Sequence, residues 1–214
     1  MATEKSVRLT IRYPAAIRVD EDIELRLVAE RDASRIFALM DRDREYLREW
    51  LPWVDGTRSV ADTEGFVQRS LDQMRRGEGF QVCIEHRGEL AGVMGFVYLD
   101  PVNRRAEVGY WLGQAFQGRG TMTRACRALV DYGFHSLDLN RIEIRVDLDN
   151  RKSRAIPERL GFVQEALLRE SVQDHGRFRD IVMYAKLRRE WEVEGSGGPA
   201  KSLDGRPAVP RPKE

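Results

Sequence analysis

The sequence has few of the residues that build disulfide frameworks and metal centres. Its 214 residues include two cysteines and three histidines. Both cysteines, Cys83 and Cys126, lie in segments with an apolar pattern, which is typical of reduced core thiols and argues against a disulfide framework. The histidines, His86, His135 and His175, lack the spacing of metal ligands, so we expect no metal site.

The chain also lacks a large net charge and a long apolar run. Its 36 basic and 35 acidic residues leave a net charge of +1, which argues against a global field that would draw it to nucleic acid or an anionic bilayer. No apolar run approaches the roughly 18 residues of a membrane span, and the charged residues 1–12 do not resemble a signal peptide. We therefore expect a cytoplasmic protein with no nucleic-acid or membrane partner.

The composition is that of one globular domain. The chain is 42% hydrophobic and 33% charged, enough to bury a core. Residues 195–214 contain four glycines and four prolines and little that could offset the entropy of ordering them. We predict a single domain over residues 7–192, a flexible start at 1–6 and a Gly/Pro-rich flexible tail at 193–214.

The apolar spacing predicts an α/β (α+β) domain whose mixed sheet of about six to seven strands carries helices on its faces. Alternation or turn signals indicate strands at residues 7–13, 23–28, 81–86, 90–100, 105–112, 141–147, 162–171 and 177–187. Helical spacing favours helices over 32–51, 59–77, 122–134 and 153–160. Ser59 and Asp62 form a capping-box-like start, and Gly77 ends that helix.

The segment Gln117–Met122 lies between a strand and an amphipathic helix. Gly118 and Gly120 let the backbone turn tightly, which leaves the first helical N–H groups and the positive end of the helix dipole facing an anion such as pyrophosphate. A turn that only joins strand to helix would use the same glycines. A P-loop lysine is missing, and Thr123 stands where a dinucleotide fingerprint needs its third glycine.

Gln117-x-x-Gly120-x-Met122 resembles the pyrophosphate-binding Q/R-x-x-G-x-G/A motif of the GNAT superfamily of N-acetyltransferases, with Met122 in place of the last small residue. A longer set of segments resembles the RimJ/RimL-type branch, the ribosomal-protein N-terminal acetyltransferases: residues 47–53, 106–112, 116–120, 150–153 and 159–162. The resemblance covers residues 23–187. It implies a mostly antiparallel sheet splayed between its fourth and fifth strands, and a homodimer. Acetyl-CoA would be the co-substrate, with no metal, and the acceptor would be an amine, specifically a protein N-terminus.

The resemblance also assigns cofactor-binding residues. The splayed strand would hold the pantetheine arm and polarise the thioester carbonyl, the glycine turn would bind the pyrophosphate, and the next helix start would contact pantetheine. These residues are Tyr110, Trp111 and Leu112; Gln117, Gly118, Arg119, Gly120, Thr121 and Met122; and Asn150 and Ser153. On the residues alone, Asn150 and Ser153 fit a helix N-cap and first turn equally well.

Acetyl transfer needs a neutral amine, so a base helps a lysine of pKa about 10.4 more than an α-amine of about 7.7 to 8.0. Glu107 matches the base of histone-acetylating relatives, although strand alternation also allows it to be an exposed residue. In ribosomal-protein relatives the base position falls on Val172, which leaves Glu170 as the second candidate and water-relayed transfer as a third route.

Two hydroxyls could protonate the departing thiolate. Ser153 matches the residue of the RimL type and is preferred to Tyr184, which lies on the last predicted strand. We expect Trp50 to be packed in the core and Trp53 to lie near the substrate.

Two other functions remain open from the sequence. One keeps the chemistry but acetylates a small amine such as a polyamine, an amino acid or an antibiotic. The other is an acyl-CoA-binding module without turnover, an alternative that the absence of a glutamate at Val172 leaves open.

Overall fold

The structure, a computed structural model, describes Tyr13 and residues 15–195, with side chains to residue 193. Eight strands form one mixed sheet in the order β1-β2-β3-β4-β5-β6-β8-β7, close to the six to seven expected. Every neighbouring pair is antiparallel except β5 with β6. The strands are β1 (Ala16–Arg18), β2 (Ile23–Leu27), β3 (Phe80–His86), β4 (Glu89–Asp100), β5 (Arg105–Leu112), β6 (Arg141–Asp147), β7 (Val163–Asp174) and β8 (Arg177–Leu187).

Helices cover both faces of the sheet. They are α1 (Ala33–Arg42), α2 (Arg44–Leu47), α3 (Val60–Arg76), α4 (Thr121–His135), α5 (Arg151–Arg159) and α6 (Arg188–Gly195). On one face Arg35 of α1 binds Glu85 of β3 at 2.8 Å. On the other, the ring of Tyr132 of α4 lies 6.2 Å from that of Phe80. Because helices pack on both faces, the side chains of β3 are nearly all buried. None of the helices in this described part is long and apolar enough to cross a membrane.

The ends of α3 confirm the signals in its sequence. The Ser59 side chain accepts a hydrogen bond from the backbone N–H of Asp62, and the Asp62 carboxylate accepts one in return from the Ser59 N–H at 2.9 Å. Gly77 ends the helix in the left-handed region at φ 73°. These contacts satisfy backbone groups that a helix end otherwise leaves unpaired.

The predicted domain limits meet the structure only in part. The expected strand at residues 7–13 lies outside the described residues except for Tyr13, which is in no strand. Most of the predicted tail also lies outside them. Helix α6 continues to Gly195, so the expected domain end at residue 192 falls inside this helix. Trp191 anchors α6 because its ring is buried against Phe134 of α4 at 6.0 Å.

The sheet parts between β5 and β6. Their parallel pairing joins Arg105–Glu107 to residues 141–143 and goes no further, while β5 stays paired with β4 up to Leu112. A bulge in β4 between Phe96 and Tyr98 lies opposite this point, and bulges bend the strand that carries them. The predicted splay is therefore confirmed. It lies between the fifth and sixth strands in chain order, not between the fourth and fifth as the resemblance implied.

Candidate active site

A cleft of about 760 Å³ opens where β5 and β6 part. Its walls are the end of β5, the turn before α4, the first turns of α4 and α5, and the segment around α2. Every predicted cofactor-binding residue except Arg119 lines this cleft. Arg119 is exposed and lies outside the lining. The structure therefore gathers three separated sequence segments into one concave site.

The turn before α4 presents an open helix N-terminus to the cleft. Gly118 and Gly120 have φ of 73° and 71°, in the left-handed region that glycine enters without strain. The first bond inside the helix runs from the Arg124 N–H to the Gly120 carbonyl at 3.0 Å, and no described side chain caps the earlier N–H groups. The Thr121 hydroxyl is buried with no hydrogen-bond partner. These donors together form a site for a phosphate or pyrophosphate.

The charges around the cleft fit the same kind of ligand. Its lining contains Arg124, Lys152 and Arg159 and, within the residues described, no carboxylate. Arg124 is held at 2.5 Å by Asp20 from the β1–β2 turn, and Lys152 donates to the Gln117 side-chain oxygen at 3.4 Å. Three cations around a helix N-terminus favour a ligand that carries several negative charges.

Helix α5 and strand β5 are joined across the parting strands. The Asn150 side chain accepts a hydrogen bond from the Ser153 N–H at 3.0 Å, so it is the N-cap of α5 while it also lines the cleft. The Tyr110 hydroxyl donates to the Ser153 carbonyl oxygen at 3.0 Å. Burial raises the pKa of Tyr110, which keeps the phenol neutral. Ser153 is half-buried and lines the same cleft.

Glu107 is the last residue of β5 that pairs with β6, directly before these two strands part, and it lies outside the residues that line the cleft. Its carboxylate is 3.4 Å from the Arg145 guanidinium. Burial raises the pKa of Glu107, Arg145 opposes this shift and the nearby charge of Glu143 adds to it. A half-buried carboxyl with a raised pKa is a better proton acceptor near neutral pH than an ordinary surface glutamate.

Two further predicted catalytic residues, like Glu107, lie outside the lining of the cleft. Glu170 is exposed at an irregularity of β7, has φ of 51°, and its backbone N–H donates to Asp180 at 2.8 Å. Tyr184 is buried, and its hydroxyl donates to Glu158 at 2.8 Å while it accepts from Arg154 at 3.0 Å. The Tyr184 hydroxyl is therefore occupied by α5 side chains, and of these two residues Ser153 is the one that lines the cleft.

The aromatic segment after α2 is arranged differently from our expectation. Trp50 lines the cleft, whereas Trp53 is 45% exposed, lies outside the lining, and has its ring 6.2 Å from that of Trp111. Tyr46 also lines the cleft, under the Lys152 ammonium at 5.4 Å from its ring. Helical spacing identified these aromatics but did not show which of them would face the opening.

A second group of ionisable side chains lies away from the cleft. Asp32, Cys83 and Glu85 have ligand atoms within 4.8 Å of one another. However, Arg26 binds Asp32 at 2.6 Å and Glu85 at 3.0 Å, and Arg35 binds Glu85 at 2.8 Å. Burial raises the pKa of Cys83 to about 12. The two carboxylates therefore form an ion-pair cluster with Arg26 and Arg35.

Comparison with known proteins agrees with this geometry. Residues 22–163 match the family model of the acetyltransferase (GNAT) domain. The Bacillus subtilis (strain 168) protein named "Putative ribosomal N-acetyltransferase YdaF" is 38% identical over 83% of this chain and 97% of its own length. The ribosomal-protein-serine acetyltransferase of Escherichia coli (strain K12) is 32% identical, over 80% of this chain and 96% of its own length.

A solved structure shows the same fold. RimL, a ribosomal L7/L12 α-N-protein acetyltransferase in complex with coenzyme A, superposes with a TM-score of 0.78 at 30% identity, over 80% of this chain and 97% of its own. The parted strands and the open turn before α4 thus lie in a fold shared with a coenzyme A-binding enzyme. Since the family model also spans both features, the chain belongs to the GNAT family of N-acetyltransferases.

Proposed function

We propose that the protein transfers the acetyl group of acetyl-CoA to the N-terminal α-amine of a ribosomal protein. The cleft is the observation that supports acetyl-CoA as the co-substrate. Three cations and the open N-terminus of α4 lie there beside the parted strands, with no carboxylate among the described lining residues. The unpartnered Thr121 hydroxyl adds a buried donor that a phosphate oxygen would satisfy. The similarity to ribosomal-protein acetyltransferases along most of their length supports the acceptor.

The charge pairing on the sheet favours a protein N-terminus over a polyamine. A polyamine carries several positive charges and needs carboxylates that are free to bind them. Glu107 is paired with Arg145 at 3.4 Å. Arg179 lies 3.5 Å from Asp147 and 3.7 Å from Asp174. Each of these carboxylates is paired with an arginine, which leaves less free negative charge for a polyamine and suits an acceptor with a single amine.

The residues suggest a direct transfer in which each proton has a partner. Acetyl-CoA supplies an activated thioester, and the amine nitrogen forms the new bond to its carbonyl carbon as the carbon–sulfur bond breaks. The backbone of β5, which leaves β6 after Glu107, carries N–H groups that can stabilise the developing oxyanion. Glu107 accepts a proton from the amine, and the Ser153 hydroxyl donates one to the departing sulfur and regains a proton from solvent.

The glycine turn provides a test of the cofactor site. Gly120→Ala is expected to lower the free energy of unfolding by about 1–2 kcal/mol, because alanine is strained at this φ, and to raise the Kd for coenzyme A roughly tenfold as the turn relaxes. The added methyl would meet no atom within 4 Å, so the effect arises from the backbone. Chemical unfolding and titration calorimetry with coenzyme A measure the two changes.

Gly88→Ala is the matched control. Gly88 has φ of 81°, also has open space around its Cβ position, and lies in the β3–β4 turn away from the cleft. The control should lose similar stability and keep its affinity for coenzyme A. Equal weakening of coenzyme A binding in both variants would place the cofactor site elsewhere.

A panel of acceptors tests the proposed function. Release of free coenzyme A is measured with peptides that have free Ser, Ala or Met N-termini, with the same peptides N-blocked but carrying lysine, and with polyamines and aminoglycosides. We expect turnover with the free N-termini alone. Turnover confined to small amines would overturn the acceptor, and binding of coenzyme A without turnover on any amine would favour the non-catalytic module.

A further inference from the structure

The tip of the β7–β8 hairpin is bound to the short 3₁₀ helix Pro52–Gly56. His175 Nε2 lies 2.7 Å from the Asp55 carboxylate, a contact between residues 120 positions apart. Arg48 binds the same Asp55 oxygen at 3.1 Å, and His175 Nδ1 lies 2.7 Å from Asp174. We call the set Arg48, Asp55, Asp174 and His175 the latch.

The latch is connected to the wall of the cleft. Asp55 follows shortly after the cleft-lining residue Trp50 in the chain. From the other side, the Arg179 guanidinium lies 5.9 Å from the centre of the Trp50 ring and 3.7 Å from Asp174. The Trp50 ring therefore contacts Arg179, which reaches the latch residue Asp174, and Trp50 is close in the chain to the latch residue Asp55.

The hairpin presents His175 in a defined position. His175 and Gly176 have φ of 48° and 74°, the pattern of a two-residue type I′ turn, which matches the twist of the strands that it joins. The Asp174 side chain beside it is buried, at 5% exposure for the residue. Because the backbone of this turn is already fixed, little conformational entropy is lost when the imidazole is held against Asp55.

We propose that His175 is a positioning residue for acetyl transfer: through the latch it holds the Trp50 wall in the place where an acceptor peptide enters. This inference rests on the proposed function, since it concerns access of the acceptor to the same cleft. The latch closes when His175 is charged and its ion pair with Asp55 forms. When His175 is neutral, its charge attraction to Asp55 is lost and the segment around Trp50 becomes more mobile.

The surrounding charges favour the closed form near and below neutral pH. The hydrogen bond to Asp55 and then the charge of Asp174 raise the pKa of His175 above its usual value. Arg48 and Arg179 share these two carboxylates, and Asp147 in turn binds Arg179. The contribution of the latch is therefore complete below the ordinary histidine pKa of about 6.5 and is lost as pH rises through the raised value.

The test compares His175→Gln with the wild type between pH 6 and 9. We expect the variant to raise KM for a free-N-terminus peptide roughly fivefold at pH 6, with a difference that shrinks towards pH 9. The kcat should stay close to wild type, and the KM for acetyl-CoA should change less than the KM for the peptide. His135→Gln, at the exposed end of α4, is the control and should change neither KM. A ratio of peptide KM values that does not vary with pH would overturn the proposal.

A second measurement separates the latch from the proposed acceptor. NMR titration of the imidazole gives the pKa of His175 in the wild type and in Asp55→Asn. We expect a raised pKa in the wild type that falls towards 6.5 in the variant. If no peptide is acetylated but this pKa shift is seen, the acceptor is wrong while the latch contact stands. An unshifted His175 in the wild type would show that the latch does not form.

Discussion

Glu107→Gln is expected to lower kcat for peptide acetylation about 10²-fold at pH 7. Most α-amine is protonated at this pH because its pKa is about 7.7 to 8.0, so the acceptor must lose a proton when it reacts. Glu107 is suited to receive it because burial raises its pKa. Glutamine fills the same volume but cannot accept the proton. The measurement is the rate of coenzyme A release with saturating peptide.

The pH dependence gives a sharper form of this prediction. In the wild type, kcat should fall on the acid side as Glu107 takes up a proton, and its raised pKa moves that fall towards neutral pH. In the variant this acid limb should be absent. The difference between the two enzymes should narrow towards pH 9, because the acceptor amine is then already neutral.

Glu170→Gln decides between the two carboxylates that the sequence suggested. Glu170 is exposed at the irregular part of β7, whereas Glu107 is half-buried where β5 and β6 part, so we expect Glu170→Gln to keep kcat within twofold of wild type. A larger loss in Glu170→Gln than in Glu107→Gln would contradict the assignment. Wild-type kcat in both variants would instead support transfer through water with no single base.

Asp32→Ala is expected to lower the free energy of unfolding by about 3–5 kcal/mol, since it leaves the charge of Arg26 without its main partner. Asp32 is fully buried and accepts two hydrogen bonds from Arg26, at 2.6 and 2.9 Å, and one from the Ala29 N–H at 2.8 Å. A loss of this size is a large part of the 5–15 kcal/mol that usually stabilises a domain. Urea unfolding followed by circular dichroism measures it.

The same ion-pair cluster gives an expected pH dependence. Burial raises the pKa of Asp32 and Glu85, but hydrogen bonds from Arg26, Arg35 and the Ala29 N–H outweigh it, and both pKa values lie below their usual range. Their contribution is therefore complete above the unfolded values of about 3.9 and 4.3 and is lost as pH falls through the folded values. The stability difference between wild type and Asp32→Ala should be steady from pH 5 to 8 and shrink below about pH 4.

Asp72→Ala is the matched control for this change. Asp72 pairs with Arg75 at 2.5 Å on the exposed side of α3, where such pairs contribute about 0–1 kcal/mol. If Asp32→Ala cost no more stability than Asp72→Ala, the cluster would not stabilise the fold as we infer.

Local signals predicted the elements and the cofactor side of the cleft. The capping pair Ser59–Asp62 and the stop at Gly77 are decided by residues within one turn of each other. The same holds for Gly118 and Gly120, whose positive φ values open the N-terminus of α4. Such features depend on the conformation of adjacent residues, which the sequence pattern predicts directly.

Features that depend on distant contacts were not visible in the sequence. Tyr184 is an alternating strand residue, and nothing near it shows that Arg154 and Glu158 of α5 occupy its hydroxyl. Trp50 and Trp53 have the same chemistry, and the packing around Trp111 decides which one faces the cleft. These side-chain positions depend on how separate helices and strands align against one another. The spacing of residues along a single element carries no information about that alignment.

The central claim is that the acetyl group goes to a protein α-amine. The most direct test gives the wild-type enzyme and acetyl-CoA a single peptide that carries both a free N-terminal serine and an internal lysine, and locates the acetyl group by fragment mass spectrometry. We predict acetylation of the α-amine with the lysine unmodified. Acetylation of the lysine alone, or no product from an enzyme that binds coenzyme A, would contradict the account.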